Sequence, residues 1–141
     1  PSANEMKGVR DIVVFRLGET YLLAAEACHL LGDNEKAAEY INVIRKRAAI
    51  PGKEKEMEIT ADQINIDFIL DERAREMAGE FCRWYDLKRT GKLYERMNNP
   101  NMNEIVAGKF LEYHVLRPIP RDQLARISNP EDFPQNEGYG N

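Results

Sequence analysis

The feature that most constrains this chain is a pair of helical patterns separated by a turn of two residues. In the first pattern, from about Ile12 to Leu31, apolar side chains recur at steps of three and four residues. Gly32 suits the left-handed position that closes a helix, and Asp33 suits the capping position that opens the next one. The predicted apolar face of the first helix consists of Val14, Leu17, Tyr21, Ala24, Cys28 and Leu31.

The second helix of the pair carries its own apolar stripe and ends before Pro51-Gly52. Alanines in both helices allow their backbones to approach closely, so we expect a tight antiparallel pair that resembles one tetratricopeptide unit. Only one such pair is visible and no strict repeat follows it, so a full solenoid is not supported. The stripe of the second helix is Ala37, Ile41, Ile44 and Ala48.

A third helix is predicted after Thr60 and Gln63, which form a capping-box pattern, with Ile59 and Ile64 placed for a hydrophobic staple. Gly79 costs about 1 kcal/mol relative to alanine within a helix, so we expect a break or bend there. Thr90-Gly91 ends the element. If the helical period holds across Gly79, one face carries Ile66, Leu70, Met77, Phe81 and Trp84.

The last third of the chain has little helical pattern. Residues 104–117 fit either irregular chain or a short strand, and Pro118-Ile119-Pro120 must be extended. A short helix is predicted over Arg121–Ile127, followed by a tail from Asn129 that is rich in Pro, Asn, Gly and Gln. The predicted fold class is therefore mainly α, with tetratricopeptide-like helix pairs and a long loop-rich C-terminal tail.

Composition excludes several functions. The formal net charge is -4 and Lys and Arg are interleaved with Asp and Glu, which disfavours a nucleic-acid partner. No segment approaches the ~20 apolar residues that span a bilayer. The chain begins at Pro1 without a signal peptide, so we interpret it as part of a longer chain. Cys28 and Cys82 lie in helical patterns and are expected to be buried thiols rather than a disulfide.

Glu72, Glu76 and Glu80 are spaced four residues apart and line one side of the third helix. A carboxylate metal site of the helical-bundle type would need Glu-x-x-His motifs on facing helices, and neither His29 nor His114 lies in one. We favour a charge network, because carboxylates at this spacing repel one another unless cations lie between them. The cations that we expect are Arg73, Arg75 and Arg83.

Arg73 falls on the apolar line between Leu70 and Met77. An arginine that is buried without a partner costs several kcal/mol, so Arg73 is predicted to pair with a carboxylate or with main-chain carbonyls. Trp84 is assigned to core packing, with sugar stacking as the alternative. The sequence contains no nucleophile–base pair, glycine-rich phosphate loop or metal-spaced Cys/His set, so an enzyme is not expected.

Five segments, in order, resemble motifs of the SusD/RagB family. Residues 16–27 resemble R-x-x-E-x-x-L-x-x-A-E-A, and residues 42–48 resemble N-x-V-R-x-R-A. Residues 72–91 resemble E-R-x-x-E … E-x-x-R-W-x-D-L-x-R-x-G, and the end resembles P-I-P … Q-N-x-G-Y. The matched residues, interpreted as a structural motif, are Arg16, Glu19, Glu26, Asn42, Arg45, Arg47, Glu72, Arg73, Glu76, Glu80, Arg83, Trp84, Asp86, Arg89, Pro118, Pro120, Gln135, Asn136 and Tyr139.

The resemblance implies a cell-surface lipoprotein of the outer membrane in Bacteroidetes-type bacteria. Members cover a TonB-dependent, SusC-like transporter and capture glycans, or in some branches peptides, without catalysis and without a cofactor. Residues 1–141 are then one C-terminal helical domain of a longer chain, whose missing N-terminus carries the lipid anchor. The resemblance transfers no ligand-contact residue and assigns this segment to scaffold. The alternative is a generic helical module that binds a peptide or partner helix in the groove of its helix pair.

Overall fold

The computed structural model describes residues 14–80 and 82–140, and these are helical or irregular, with no β-strand. This confirms the mainly α class. The chain divides into two compact units, Pro1–Phe81 and Cys82–Asn141. The first unit contains α1 (Leu17–Leu30), α2 (Asn34–Ala48), α3 (Ile66–Glu76) and the 3-10 turns Glu54–Met57 and Ala61–Gln63. The second contains α4 (Arg83–Arg89), α5 (Leu93–Asn98), α6 (Arg121–Leu124) and the 3-10 turns Glu112–Val115 and Pro130–Asp132.

The predicted helix pair is confirmed. Gly32 has φ +83°, and the Asp33 carboxylate accepts a hydrogen bond from the backbone N–H of Lys36 at 2.9 Å. α1 and α2 pack against each other more extensively than any other two elements, and α1 also packs on α3. The fully buried apolar residues of the first unit are Leu22, Ala25, Ala37, Ile41, Ile69 and Leu70.

The predicted apolar face of α1 is right only in part: Tyr21, Ala24 and Cys28 are half-buried, and Cys28 packs against the core. The helix buries Gly18, Leu22, Ala25 and Glu26, whereas Leu17 and Leu31 are 67% and 86% exposed. α1 has apolar side chains on most of its circumference, so a spacing of three and four residues fits more than one face. Val14 precedes the helix, and Ile12 lies outside the described residues. The stripe predicted for α2 is buried as far as Ile44, but Ala48 in the last turn is exposed.

The start of the third helix lies later than predicted. The backbone N–H of Thr60 donates to Gln63 Oε1 at 3.1 Å, but this cap opens the 3-10 turn Ala61–Gln63. The α-helix begins at Ile66, where the Asn65 side chain accepts from the backbone N–H of Phe68 at 2.9 Å. The two staple residues, Ile59 and Ile64, are both buried in the core of this unit.

The break expected at Gly79 occurs. α3 ends at Glu76, Gly79 has φ +84°, and α4 begins at Arg83. The condition for one apolar face across Gly79 is therefore not met, because α3 ends at Glu76 and Met77 and Trp84 belong to different units. Phe81 lies outside the described residues.

The second unit is built mostly from turns. Residues 104–117 are irregular apart from the turn Glu112–Val115, and α6 is shorter than the helix predicted there. Cys28 and Cys82 are half-buried thiols. Across the part of the chain that the structure describes, no helix combines the length and apolarity needed to cross a membrane.

Candidate functional site

Nine of the nineteen residues in the predicted structural motif take part in two arrangements that the structure describes. In the first unit, a set of ion pairs joins α1, α2 and α3; we call it the charge network. In the second unit, three side chains near the C-terminus bind the backbone of residues 116–119; we call this the tail clamp. The charge network consists of Arg16, Arg45, Arg47, Glu72, Arg75, Glu76 and Glu80.

Glu76 is the centre of the charge network. Its carboxylate, whose side chain is only 8% exposed, pairs with Arg16 and accepts hydrogen bonds from Arg47 Nη2 at 2.6 and 2.7 Å. Arg16 also donates from Nε to Glu80 Oε1 at 2.8 Å and from Nη2 to the backbone carbonyl of Glu76. These contacts tie the start of α1 and the end of α2 to the end of α3.

Gly18 is what allows Arg16 and Glu76 to meet over the first turn of α1. A Cβ atom at this position would lie 2.5 Å from Arg16 Nη1 and 2.6 Å from Glu76 Oε1. Both distances are shorter than van der Waals contact permits, and both atoms are held by their ion pair rather than free to move. An alanine here would therefore push the ends of these two side chains aside, and Gly18 was not among the residues predicted for the motif.

The charges of the network stabilise one another. The hydrogen bond from Arg16 holds the pKa of Glu80 below its usual range. Burial by itself would raise the pKa of Glu76, but the hydrogen bonds from Arg16 and Arg47 outweigh that effect and lower it. The same hydrogen bonds, from Glu80 first and then Glu76, raise the pKa of Arg16. Arg16, Glu76 and Glu80 are therefore each held in their charged form by their partners.

Glu72 forms the second part of the network. Its Oε2 atom pairs with Arg45 at 2.8 Å and with Arg75 at 2.7 Å. Arg45 also donates from Nε to the carbonyl of Met57 at 2.6 Å, which attaches the loop after α2 to both helices. The predicted charge network is thus present, but its cations are corrected. Among the ion pairs described here, Arg16, Arg45 and Arg47 come from outside α3, and Arg75 comes from the predicted set.

Asn42 completes the attachment of that loop. Its side-chain amide donates to the carbonyl of Ile59 and accepts from the backbone N–H of Ile59, both at 2.9 Å. One side chain therefore satisfies both polar groups of a buried residue, as a neighbouring strand would. The loop carries Ile59 into the core, so Asn42 links the polar motif to the apolar core.

Arg73 is buried, with only 2% of its side chain exposed, and its Nη2 atom lies 3.4 Å from Glu19 Oε1. The prediction that Arg73 pairs with a carboxylate is confirmed, and its partner is on α1 rather than on α3. Glu26 is also buried in α1. In the second unit, Asp86 is 1% exposed and accepts from Arg89 Nη2 at 3.0 Å, while Arg83 is half-buried at the start of α4.

In the tail clamp, the Gln135 side chain binds the backbone between two prolines. The Gln135 amide accepts from the N–H of Ile119 at 2.8 Å and donates to its carbonyl at 2.9 Å. Pro118 and Pro120 have no N–H and fix the extended conformation, so Ile119 offers the one N–H within this tripeptide. Asn136 Nδ2 donates to the carbonyl of Arg117 at 2.7 Å, and the Tyr139 hydroxyl donates to the carbonyl of Leu116 at 2.8 Å.

The tail clamp rests on an aromatic cluster. Gly138 has φ +86°, and a Cβ atom there would collide with the Tyr113 ring, so this position requires glycine for two reasons. Tyr139 packs edge-on against Tyr113 with centroids 5.0 Å apart. Gly138 and Tyr139 therefore share one neighbour, the Tyr113 ring.

Trp84 is half-buried and packs edge-on against Phe110, with ring centroids 6.0 Å apart. The Arg117 guanidinium lies 5.0 Å from the centroid of its ring and over its face. These contacts support the assignment of Trp84 to packing rather than to sugar stacking.

Sequence reasoning missed three structural residues, and no periodic signal marks them: Phe110, Arg117 and Gly18. Asn65 could have been found as an Asn immediately before a helical pattern.

Two cavities lie near motif residues in the part of the chain that the structure describes. An open groove of about 520 Å³ in the first unit includes Arg45, Glu72 and Glu76 in its lining, all of which are already ion-paired. A second cavity, of about 530 Å³ in the second unit, is lined by Tyr113 and Gly138 of the tail region but by none of the clamp side chains. Within the described ranges, no group of three or more His, Cys, Asp or Glu is placed to hold a metal ion.

Comparisons with known proteins agree with this pattern of residues. The model of the SusD family matches residues 2–139. A SusD-like protein of Formosa agariphila is 38% identical over 137 residues, which cover 90% of this chain and 24% of that protein. The starch-binding protein SusD of Bacteroides thetaiotaomicron is 34% identical over 135 residues, which cover 92% of this chain and 22% of that protein. The chain thus spans about a quarter of the length of these relatives, and no solved structure matches it significantly.

Proposed function

The chain belongs to the SusD family, and from this we propose that it forms scaffold of a non-catalytic subunit that captures nutrients, foremost glycans, for import. The complete protein is a lipoprotein on the surface of the outer membrane. It delivers its ligand to a SusC-like, TonB-dependent transporter. Residues 1–141 act as one C-terminal helical domain of this protein, and membrane attachment comes from a lipid anchor outside them.

The observation that supports a scaffold role is where the polar groups of the motif are directed. Asn42 and Gln135 each bind both backbone groups of one residue, at distances between 2.8 and 2.9 Å. Glu72 and Glu76 each accept from two arginines. Side chains engaged in this way hold segments of the chain in place and have little capacity left to recognise a ligand.

Glycan capture rests on similarity to relatives, one of which is named a starch-binding protein. A direct test is affinity electrophoresis of the complete protein in gels that contain soluble starch, xylan or laminarin, with bovine serum albumin as the control. Retardation by one of these polysaccharides supports glycan capture. Unchanged mobility in all of them, together with binding of an oligopeptide mixture in calorimetry, would replace glycan by peptide as the ligand class.

The transporter partnership needs a separate test. The complete protein, carrying a C-terminal affinity tag, is purified from detergent-solubilised outer membranes, and its partners are identified by mass spectrometry. Co-purification of a large TonB-dependent barrel supports the uptake complex. Recovery in the cytosolic fraction without such a barrel would refute both the partnership and the surface location.

A generic helical interaction module is the second candidate. The observation in its favour is a groove of about 210 Å³ between α1 and α2, lined in part by Leu17, Tyr21 and Val43. Leu17 and Val43 are 67% and 44% exposed, so an apolar side chain of a peptide has room to bind between them. If this candidate is right, Val43→Glu should abolish partner capture and leave polysaccharide retardation unchanged.

A further inference from the structure

The open cavity of the second unit is lined by polar groups that the fold itself does not use. Its volume is about 530 Å³, which lies within the range of about 300–1,000 Å³ that pockets for small ligands occupy. The cavity therefore has room for a small ligand, and the chemistry of its lining determines which one. The lining residues are Glu112, Tyr113, Leu116, Glu137 and Gly138.

Both carboxylates of the lining are available to a ligand. Glu112 and Glu137 are exposed, and within the described ranges neither side chain takes part in a hydrogen bond or an ion pair. Glu72 and Glu76 of the first unit, by contrast, are each held by two arginines. Among the described residues, no Lys, Arg or His belongs to the lining, so the cavity carries negative charge without a cation.

The Tyr113 ring is a fixed wall of the cavity. Tyr139 packs edge-on against this ring with centroids 5.0 Å apart, and its hydroxyl donates to the carbonyl of Leu116 at 2.8 Å. On the Tyr113 ring also lies His114, with centroids 4.2 Å apart, and its Nδ1 atom accepts from the backbone N–H of Leu111 at 2.9 Å. A ring whose neighbours are held in this way is already in place before a ligand binds, which favours binding.

These groups together select a positively charged ligand. An ionised carboxylate only accepts hydrogen bonds, and the face of an aromatic ring attracts positive charge. An ammonium or guanidinium group donates N–H bonds, accepts none and carries the matching charge. A sugar hydroxyl both donates and accepts, so two carboxylates satisfy only half of its bonding capacity.

We propose that this cavity binds an organic cation, which lies against the Tyr113 ring and donates to Glu112 and Glu137. Two kinds of molecule carry this chemistry, a peptide with a basic side chain and an amino sugar, and the test below separates them. The inference does not rest on glycan capture, because a neutral polysaccharide such as starch has no cation to offer.

The test measures dissociation constants for the complete protein by saturation-transfer difference NMR. Acetyl-arginine amide represents the peptide and glucosamine the amino sugar. Their uncharged counterparts, acetyl-citrulline amide and N-acetylglucosamine, are the matched controls. We expect at least one cationic probe to bind more tightly than its counterpart. The probe that does so identifies the kind of molecule, and the same result for both assigns the site to the cation alone.

Substitutions then locate the binding in the cavity. Glu112→Gln and Glu137→Gln keep the size of the side chain and remove its charge, so we expect each to raise the dissociation constant of the cationic probe by about threefold or more. Glu131→Gln is the control, because Glu131 is an exposed glutamate of the same unit outside the lining, and it should leave the constant unchanged. Equal melting temperatures of the three variants show that the fold is retained.

Absence of saturation transfer to both cationic probes at millimolar concentration would overturn the proposal. A constant that is equal for each cationic probe and its uncharged counterpart, or that Glu112→Gln and Glu137→Gln both leave unchanged, would overturn it as well. None of these results depends on whether the protein is retarded in a polysaccharide gel, so failure here leaves the proposed function untouched.

Discussion

Replacing Arg73 by methionine tests whether burial, rather than distance, determines the contribution of an ion pair in this protein. The Arg73 side chain is 2% exposed and pairs with Glu19 at 3.4 Å, whereas Arg75 is 56% exposed and pairs with Glu72 at 2.7 Å. Both arginines lie on α3. By distance alone, the Arg75 pair is the stronger one.

Burial predicts the opposite order. Arg73→Met leaves Glu19, only 14% exposed, without this cation in a place that water reaches poorly. Breaking a buried pair from one side costs about 3–5 kcal/mol, and the long distance places this pair near the lower end, at about 3 kcal/mol. Arg75→Met removes an exposed pair worth about 0–1 kcal/mol, and Glu72 keeps Arg45 at 2.8 Å.

The assay is thermal unfolding followed by circular dichroism, combined with hydrogen exchange of peptides from α3 that locates the effect in the first unit. For a chain of this size, about 3 kcal/mol corresponds to a loss of roughly 10 °C in melting temperature. Glu19→Gln combined with Arg73→Met should recover part of the loss, because no uncompensated carboxylate remains. An unchanged melting temperature for Arg73→Met, or an equal loss for Arg75→Met, would refute the reasoning.

Three further predictions concern the charge network and the tail clamp. Gly18→Ala should lower the melting temperature, because its methyl group displaces the Arg16–Glu76 pair. It should lower the melting temperature less in an Arg16→Met background, where only the contact with Glu76 opposes the better helix propensity of alanine. Because the pKa values of Glu76 and Glu80 are lowered, their contribution to the free energy of unfolding is complete above the ordinary glutamate pKa of about 4.3. That contribution is lost as pH falls through the lowered values, so the melting temperature should fall there, and Arg16→Met should make this fall smaller. Gln135→Met removes both hydrogen bonds to the backbone between the two prolines and should accelerate hydrogen exchange there, whereas Gln135→Glu keeps the acceptor and should accelerate it less.

The local signals in the sequence predict the helix pair well, because each depends on neighbouring residues. Gly32 adopts the predicted left-handed conformation, with φ +83°, and the Asp33 side chain caps the start of α2. The break at Gly79 was also visible, because glycine weakens a helix wherever it lies.

The features that the sequence could not predict depend on contacts between elements that are distant in sequence. The core-facing side of α1 was misassigned because its apolar residues fit several faces, and only packing on α2 and α3 selects one. The partners of Glu76 were missed for the same reason: Arg16 and Arg47 are distant in sequence and meet only when the helices pack. Gly18 has no signal in the sequence, because its role is to leave room for the Arg16–Glu76 pair, and that pair forms only when the helices pack.

The two bidentate amides, Asn42 and Gln135, show how loops of this chain are held through their backbone. Asn42 and Gln135 recognise backbone groups of Ile59 and Ile119, and backbone groups are the same whatever side chains surround them. Exposed side chains of such a loop can be replaced without loss of these contacts, provided that the amides remain, whereas Ile59 is itself buried in the core. On this argument, thermal unfolding should show a clear loss of stability for Asn42→Leu and little change for Lys55→Ala, an exposed position of the same loop.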